Sequence, residues 1–128
     1  MNVVDSSAWL EYFGDGPNAG EFAAAIEDPE RLVVPTLTLF EVFKRTHQLK
    51  DEATALEAVA VMLQGPTAEL SAGLAIEAAK ILLETGLPLA DSVILATARA
   101  EDAVLWTQEA HFEGLERVEF RETRKSGG

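Results

Sequence analysis

The sequence predicts an α/β fold with three layers, in which a central parallel sheet of four to five strands carries helices on both faces. Short apolar runs of β-branched character recur along the chain, at Asn2–Val4, Arg31–Val34 and Ala103–Trp106, with weaker runs at Thr67–Leu70 and Arg117–Phe120. Segments with a helical apolar period lie between them, and proline or glycine punctuates the changes. Strands that alternate with helical crossovers pair in parallel, because a parallel pair cannot be closed by a tight hairpin.

The elements follow in order. Asn2-Val3-Val4 reads as a strand, and Asp5-Ser6-Ser7 as the entry to a helix over Ala8–Phe13. Gly14-Asp15-Gly16-Pro17 is a turn, Ala19–Ile26 a second helix, and Asp28-Pro29 its stop, since proline cannot continue a helix. After the strand Arg31–Val34, Pro35-Thr36 opens a helix over Leu37–Leu49. Its apolar residues Leu39, Phe40, Val42, Phe43 and Leu49 keep a helical spacing. Asp51–Leu63 is a further helix closed by Gly65-Pro66. Ser71 caps the next, which Gly86 stops and Pro88 follows. Asp91 opens another helix over Ser92–Ala98, and Thr107 caps a short one through Phe112. Residues 1–120 form one domain without repeats or linkers, and the polar tail 121–128 is expected to fray.

Composition narrows the functional classes. The chain has 128 residues, 48% of them hydrophobic and 25% charged, as expected of a folded domain. There is no cysteine, so disulfides and thiolate metal sites are excluded. The lack of cysteine and of a basic leader before Asp5 agrees with a cytoplasmic protein. No apolar run approaches the ~20 residues of a membrane span, so no membrane partner is expected. With 22 acids against 10 bases the net charge is −12. Such a surface repels phosphate backbones, so any action on nucleic acid needs local bases, a bound cation or a basic partner.

In open parallel sheets, ligands bind beyond the carboxyl ends of the strands where strand order reverses. Asp5 directly follows the first strand, and Glu109 lies just past the strand Ala103–Trp106. Glu41 is one turn into the helix after the second strand, and Asp91 opens the helix before the fourth. Each acid also has an ordinary structural use. Asp5 and Asp91 suit helix caps, Glu41 can pair with Arg45, and Glu109 suits the first turn of a helix. Gathered in one cleft, these carboxylates would repel one another, and a divalent cation relieves that conflict. Magnesium takes oxygen ligands and keeps several waters, and manganese suits the same donors. With only His47 and His111 and no cysteine, a zinc site is not expected, and both histidines read as surface or boundary residues.

At these residues the chain resembles the PIN domain family, and within it the VapC-like toxins of bacterial and archaeal toxin–antitoxin pairs. The resemblance runs over about Met1–Phe120 and rests on Val3-Val4-Asp5-Ser6-Ser7-Ala8-Trp9-Leu10, Thr38-Leu39-Phe40-Glu41-Val42, Leu89-Ala90-Asp91-Ser92-Val93-Ile94-Leu95-Ala96-Thr97-Ala98 and Leu105-Trp106-Thr107-Gln108-Glu109-Ala110-His111-Phe112. It implies a metal-dependent endoribonuclease with Asp5, Glu41, Asp91 and Glu109 around one or two Mg²⁺ or Mn²⁺ ions. Asp5 and Asp91 are the expected direct ligands, with Glu41 and Glu109 acting through water. Ser6 and Thr107 match polar positions beside the metal, although both also suit helix caps. Glu109 departs from the aspartate usual in the family, which weakens the fourth corner of the site. The resemblance further implies an RNA substrate, a homodimer and a small cognate antitoxin whose tail lies over the active site. Lys44, Arg45, His47 and Arg99 are the candidate RNA contacts.

Two other classes compete. A non-catalytic PIN-like module that binds RNA or protein would keep the fold and lose cleavage, and Glu109 is the feature in its favour. A phospho-receiver domain is also a small parallel α/β fold. It needs a phospho-acceptor aspartate after the middle strand and a lysine after a late strand, whereas here Pro35 follows the second strand and Lys125 sits in the tail.

Overall fold

A computed structural model describes residues 1–125. Its strands are β1 (Asn2–Val4), β2 (Leu32–Pro35), β3 (Thr67–Ala68), β4 (Val104–Thr107) and β5 (Val118–Phe120). Its α-helices are α1 (Ser6–Phe13), α2 (Ala19–Ile26), α3 (Thr36–Leu49), α4 (Glu52–Met62), α5 (Ala72–Thr85) and α6 (Leu89–Ala100). Two short 3-10 turns cover Pro29–Arg31 and Ala110–Phe112. All strand pairs are parallel, in the order β3-β2-β1-β4-β5. The three-layer α/β architecture expected from the sequence is the one observed.

The central strands are buried on both faces. Val3, Val33 and Leu105 enter a core with Ala78, Ile81, Ile94, Leu95 and Phe112, on the side of α5 and α6. Val4, Leu32 and Val34 enter a second core with Trp9, Phe22, Val42, Ala58 and Met62, on the side of α1 to α4. Alternate residues of β1 and β2 therefore meet opposite helical layers, which is why these two strands are almost continuously apolar, whereas the edge strands β3 and β5 carry exposed Thr67 and Glu119. Burying side chains such as Phe22, Trp9 and Met62 contributes about 1.5–3 kcal/mol each.

Several boundaries differ from the sequence reading. Helix α1 begins at Ser6 rather than Ala8, and α6 begins at Leu89 with Pro88 at its cap position. Asp91 is thus inside the first turn of α6 and caps nothing. Proline at the cap fixes the extended backbone that feeds the helix, and so moves the start upstream of the aspartate. Thr107 ends β4, and the turn that follows it is capped by Glu109, whose side chain accepts from the His111 backbone N–H at 3.3 Å. Strand β3 is limited to two residues at the sheet edge.

The tail also departs from expectation. Its described part, 121–125, has no regular structure but is tied to the body. The Arg121 backbone N–H donates to the Thr107 carbonyl at 2.9 Å. The Arg121 guanidinium meets Glu21 and Glu119, each at 3.2 Å, and stacks over Trp106. Positions 126–128 of the tail lie outside the described residues. Among the described residues no single helix is long and apolar enough to cross a membrane.

Candidate active site

The chain starts at the centre of the sheet, builds outward through β2 and β3, then returns to place β4 on the other side of β1. Strand order therefore reverses between β1 and β4, and the crevice beyond their carboxyl ends is where such sheets bind ligands. The register pairs Val4 with Trp106, so Asp5 and Thr107 leave the sheet side by side, joined by a 2.9 Å bond from the Asp5 backbone N–H to the Trp106 carbonyl.

Asp5 sits at the cap position of α1, yet its side chain makes no capping hydrogen bond. It is only 3% exposed. Ser7 and Thr107 both donate hydroxyl hydrogen bonds to its Oδ2, at 2.7 and 2.9 Å. Among the described residues none donates to Oδ1. Burial pushes the Asp5 carboxyl up to about 6, against the lowering pull of the two hydroxyls, and the charges of Asp91 and Glu41 add to the rise. One carboxylate oxygen is thus anchored, the other is left without a protein donor, and neighbouring acids are close enough to be felt.

Glu41 reaches the same crevice from the first turns of α3. Ser6 Oγ donates to its Oε1 at 2.7 Å. Ser6 is therefore a tether between α1 and α3, not a cap. Thr38 ties the start of α3 to the end of β2 through a 2.6 Å bond to the Pro35 carbonyl.

Asp91 and Glu109 meet through a residue that the sequence reading set aside. His111 Nδ1 lies 3.0 Å from Asp91 Oδ2 and 3.2 Å from Glu109 Oε1. Burial raises the Asp91 carboxyl, the His111 hydrogen bond works against that rise, and the charge of Glu109 adds to it. The same contacts raise His111 above the ordinary histidine value, the Asp91 hydrogen bond first and the Glu109 charge next. His111 is half exposed, as expected, but it also bridges two of the acids.

The four acids thus share one edge of the sheet: Asp5 feels the charges of Asp91 and Glu41, and His111 bridges Asp91 and Glu109. They do not form a closed cage: among the described residues no three His, Cys, Asp or Glu side chains converge as a ready cation site. A hard divalent ion does not require one. Magnesium is held through one or two carboxylates and keeps several waters. The undonated Oδ1 of buried Asp5 and the oxygen-only donor set suit such an ion, which would offset the burial of the Asp5 charge and the smaller repulsion from Asp91 and Glu41.

Sequence reasoning missed Ser7, Gln108 and Asn18 as well as His111. Ser7 Oγ accepts from the Gln108 backbone N–H at 3.1 Å while donating to Asp5. Asn18 Nδ2 donates to Gln108 Oε1 at 3.0 Å. No local signal marks the Ser7–Gln108 and Asn18–Gln108 contacts, because the partners stand about 100 positions apart along the chain.

The sequence profile of the PIN domain matches residues 3–118. The chain belongs to the PIN domain family. Its fold is similar to that of a toxin–antitoxin complex chain from Klebsiella pneumoniae, with a TM-score of 0.79 and 22% identity over 96% of this chain and 100% of that one. A second PIN relative in structure is Mycobacterium tuberculosis VapC20, a sarcin–ricin loop cleaving toxin, with a TM-score of 0.76 and 18% identity over 98% and 100% of the two chains. A third comes from a DNA-bound VapBC of Salmonella typhimurium, with a TM-score of 0.72 and 15% identity over 95% and 97%. No curated protein sequence matches this PIN chain at a significant level.

Proposed function

We propose that this PIN chain is the toxin of a toxin–antitoxin pair, an endoribonuclease that hydrolyses RNA phosphodiester bonds with Mg²⁺ or Mn²⁺. The observation that carries the reading is Asp5, a buried carboxylate at the strand-order reversal with one oxygen fixed by two hydroxyls and other acids beside it. The toxin–antitoxin complex chain and the VapC20 toxin whose fold it shares support the same reading.

In this reading Asp5 and Asp91 hold the ion directly, and Glu41 and Glu109 contribute through water. When bound, the ion supplies Lewis acidity toward a phosphate oxygen and lowers the pKa of a coordinated water. The protein contributes positioning. Ser7 and Thr107 hold the Asp5 carboxylate plane, and Ser6 keeps Glu41 at the crevice. Water adds to phosphorus, a carboxylate of the cluster takes the proton from that water, and the bond to the ribose oxygen breaks as the leaving oxygen takes a proton from solvent to become a hydroxyl.

The acidic surface needs help to receive RNA. Lys44, Arg45 and Arg99 form no ion pair among the described residues, whereas Arg31, Lys80, Arg117 and Arg121 do. The unpaired bases, with His47, are the candidates for phosphate contact. A small basic antitoxin segment would compete for the same acids. Ile76 and Leu83 are exposed apolar residues seven positions apart on α5, and exposed Leu89 lies near them in sequence, which supports a homodimer. The expected compartment is the cytoplasm.

A non-catalytic binding module is the second reading. In its favour, Glu109 spends its carboxylate on its own turn and on His111. Cleavage of RNA by the purified protein decides between them. Cleavage with Mg²⁺ or Mn²⁺ that disappears with chelator and with Asp5→Asn is expected. RNA binding without cleavage under every metal condition supports the second reading. Cleavage that survives chelation or Asp5→Asn overturns the mechanism.

A further inference from the structure

Asn18 occupies the cap position of α2, where asparagine ordinarily accepts a hydrogen bond from the helix backbone. Here its side chain makes no such bond, although it is 2% exposed. Its polar atoms are used elsewhere. Nδ2 donates to Gln108 Oε1 at 3.0 Å and to the Glu122 carbonyl at 2.9 Å. Oδ1 accepts from Arg124 Nε at 2.6 Å. Its backbone N–H donates to Glu11 Oε2 at 2.7 Å. Arg124 also donates to the Pro17 carbonyl, so the segment after β5 is strapped across the α1–α2 turn.

The other side of this junction is the candidate active site. Gln108 stands between Thr107 and Glu109. Its side chain is held by Asn18 and its backbone N–H by Ser7, which donates in turn to Asp5. Thr107 binds Asp5 with its hydroxyl, and its carbonyl is held by the Arg121 backbone N–H. The Glu109 backbone N–H donates to Thr107 Oγ1 at 2.9 Å. The C-terminal segment therefore reaches the three residues Thr107–Glu109 by two routes, directly from Arg121 and through Asn18 from Glu122 and Arg124.

We propose that Asn18, locked by Glu122 and Arg124, is a positioning residue that fixes the Thr107–Glu109 segment against Asp5. The C-terminal segment thereby controls the geometry of the catalytic edge without touching substrate. This rests on the ribonuclease reading for its effect on rate, while its structural half stands independently. A polar partner behind the groups that hold an ion commonly alters affinity or activity by about 10–100-fold when removed.

The test uses the full chain with Asn18→Asp and Arg124→Ala. Asn18→Asp keeps shape and the Arg124 acceptor but removes both Nδ2 donors. Arg124→Ala changes only an exposed residue. The first readout is amide hydrogen exchange of the metal-free protein. Exchange at the Gln108 and Glu109 amides is expected to rise about tenfold in both variants, with Val3 and Leu105 unchanged. The second is Mn²⁺ binding followed by its electron paramagnetic resonance signal, expected to weaken about tenfold. The third is RNA cleavage, in which kcat is expected to fall about tenfold with KM unchanged. Wild-type exchange and Mn²⁺ affinity in both variants would overturn the proposal. So would an equal rise in exchange across the whole sheet, because that marks general destabilisation. If the wild-type protein cleaves no RNA, the ribonuclease reading fails, and the local exchange pattern still decides the role of Asn18.

Discussion

Ser6 Oγ donates a 2.7 Å hydrogen bond to Glu41 Oε1, and so ties the acid of α3 to the turn that carries Asp5. Thirty-five positions separate the two residues, and among the described residues no other side chain donates to Glu41. Ser6→Ala should free Glu41 to swing away from the crevice. We expect RNA cleavage to fall about tenfold, as for other supporting groups beside metal ligands. Thermal stability should change little, since replacing one partly buried hydroxyl costs about 1 kcal/mol. Steady-state kinetics at saturating Mg²⁺ checks this, and wild-type kcat would show that the tether is irrelevant.

Asp5 makes metal-free stability depend on pH in an unusual direction. Its carboxyl is raised from 3.8 to about 6 on folding, so the folded state binds the proton more tightly than the unfolded chain. Its contribution is fully present below the unfolded value and is lost as pH rises through about 6. A shift of about two units corresponds to about 3 kcal/mol at neutral pH. Asp5→Asn removes that penalty but weakens the bonds from Ser7 and Thr107, for a net gain on the order of 1–2 kcal/mol at pH 7. The difference between variant and wild type, from denaturant midpoints in EDTA, should shrink from pH 7 to pH 4. A difference independent of pH contradicts this account.

His111 should report on the two acids beside it. The Asp91 hydrogen bond and the Glu109 charge raise its pKa above the ordinary 6.5. Its stabilising contact is therefore complete below 6.5 and is lost as pH rises through the folded value. Proton NMR titration of the metal-free protein should show the His111 ring titrating above that reference, and Asp91→Asn should bring it down. An unchanged titration in Asp91→Asn would mean that the contact does not persist in solution.

Glu109 carries the longer side chain at the fourth corner. In the metal-free arrangement it caps its own 3-10 turn and contacts His111. Glu109→Asp shortens the reach to the His111 backbone and should release the carboxylate toward the crevice. Mn²⁺ affinity and cleavage rate should both rise, by about threefold to tenfold on the scale of supporting-shell changes. A loss of both would show that the glutamate is adapted to this site as it stands.

The sheet and helices were legible because their signals are local. Continuous apolar strands, prolines at element starts and glycine at the end of α5 mark the chain without reference to partners. Asp5 and Glu109 were placed by the same logic, since an acid directly after a strand must leave the sheet at its carboxyl edge, whereas Glu41 and Asp91 came to the site through the resemblance to the PIN family. What supports them was not legible. Asp5, Asn18 and Thr107 each stand beside a helix or turn start, where a cap is the economical reading, yet all three spend their side chains across the fold. His111 illustrates the converse. It is exposed, as an isolated histidine should be, and its partner Asp91 becomes visible only when α6 is folded back against the end of β4.

The placement of β1 has a consequence for how the protein comes into being. Strand β1 is the central strand, and its neighbour β4 pairs with it across about a hundred residues, Asn2 with Val104. Such distant pairing is slow and cannot start early, because the chain between must first be made and its loop entropy overcome. During translation Asp5 therefore waits beside an open sheet edge until Thr107 has left the ribosome. The edge that carries Asp5 and Thr107 is therefore among the last features of the fold to close.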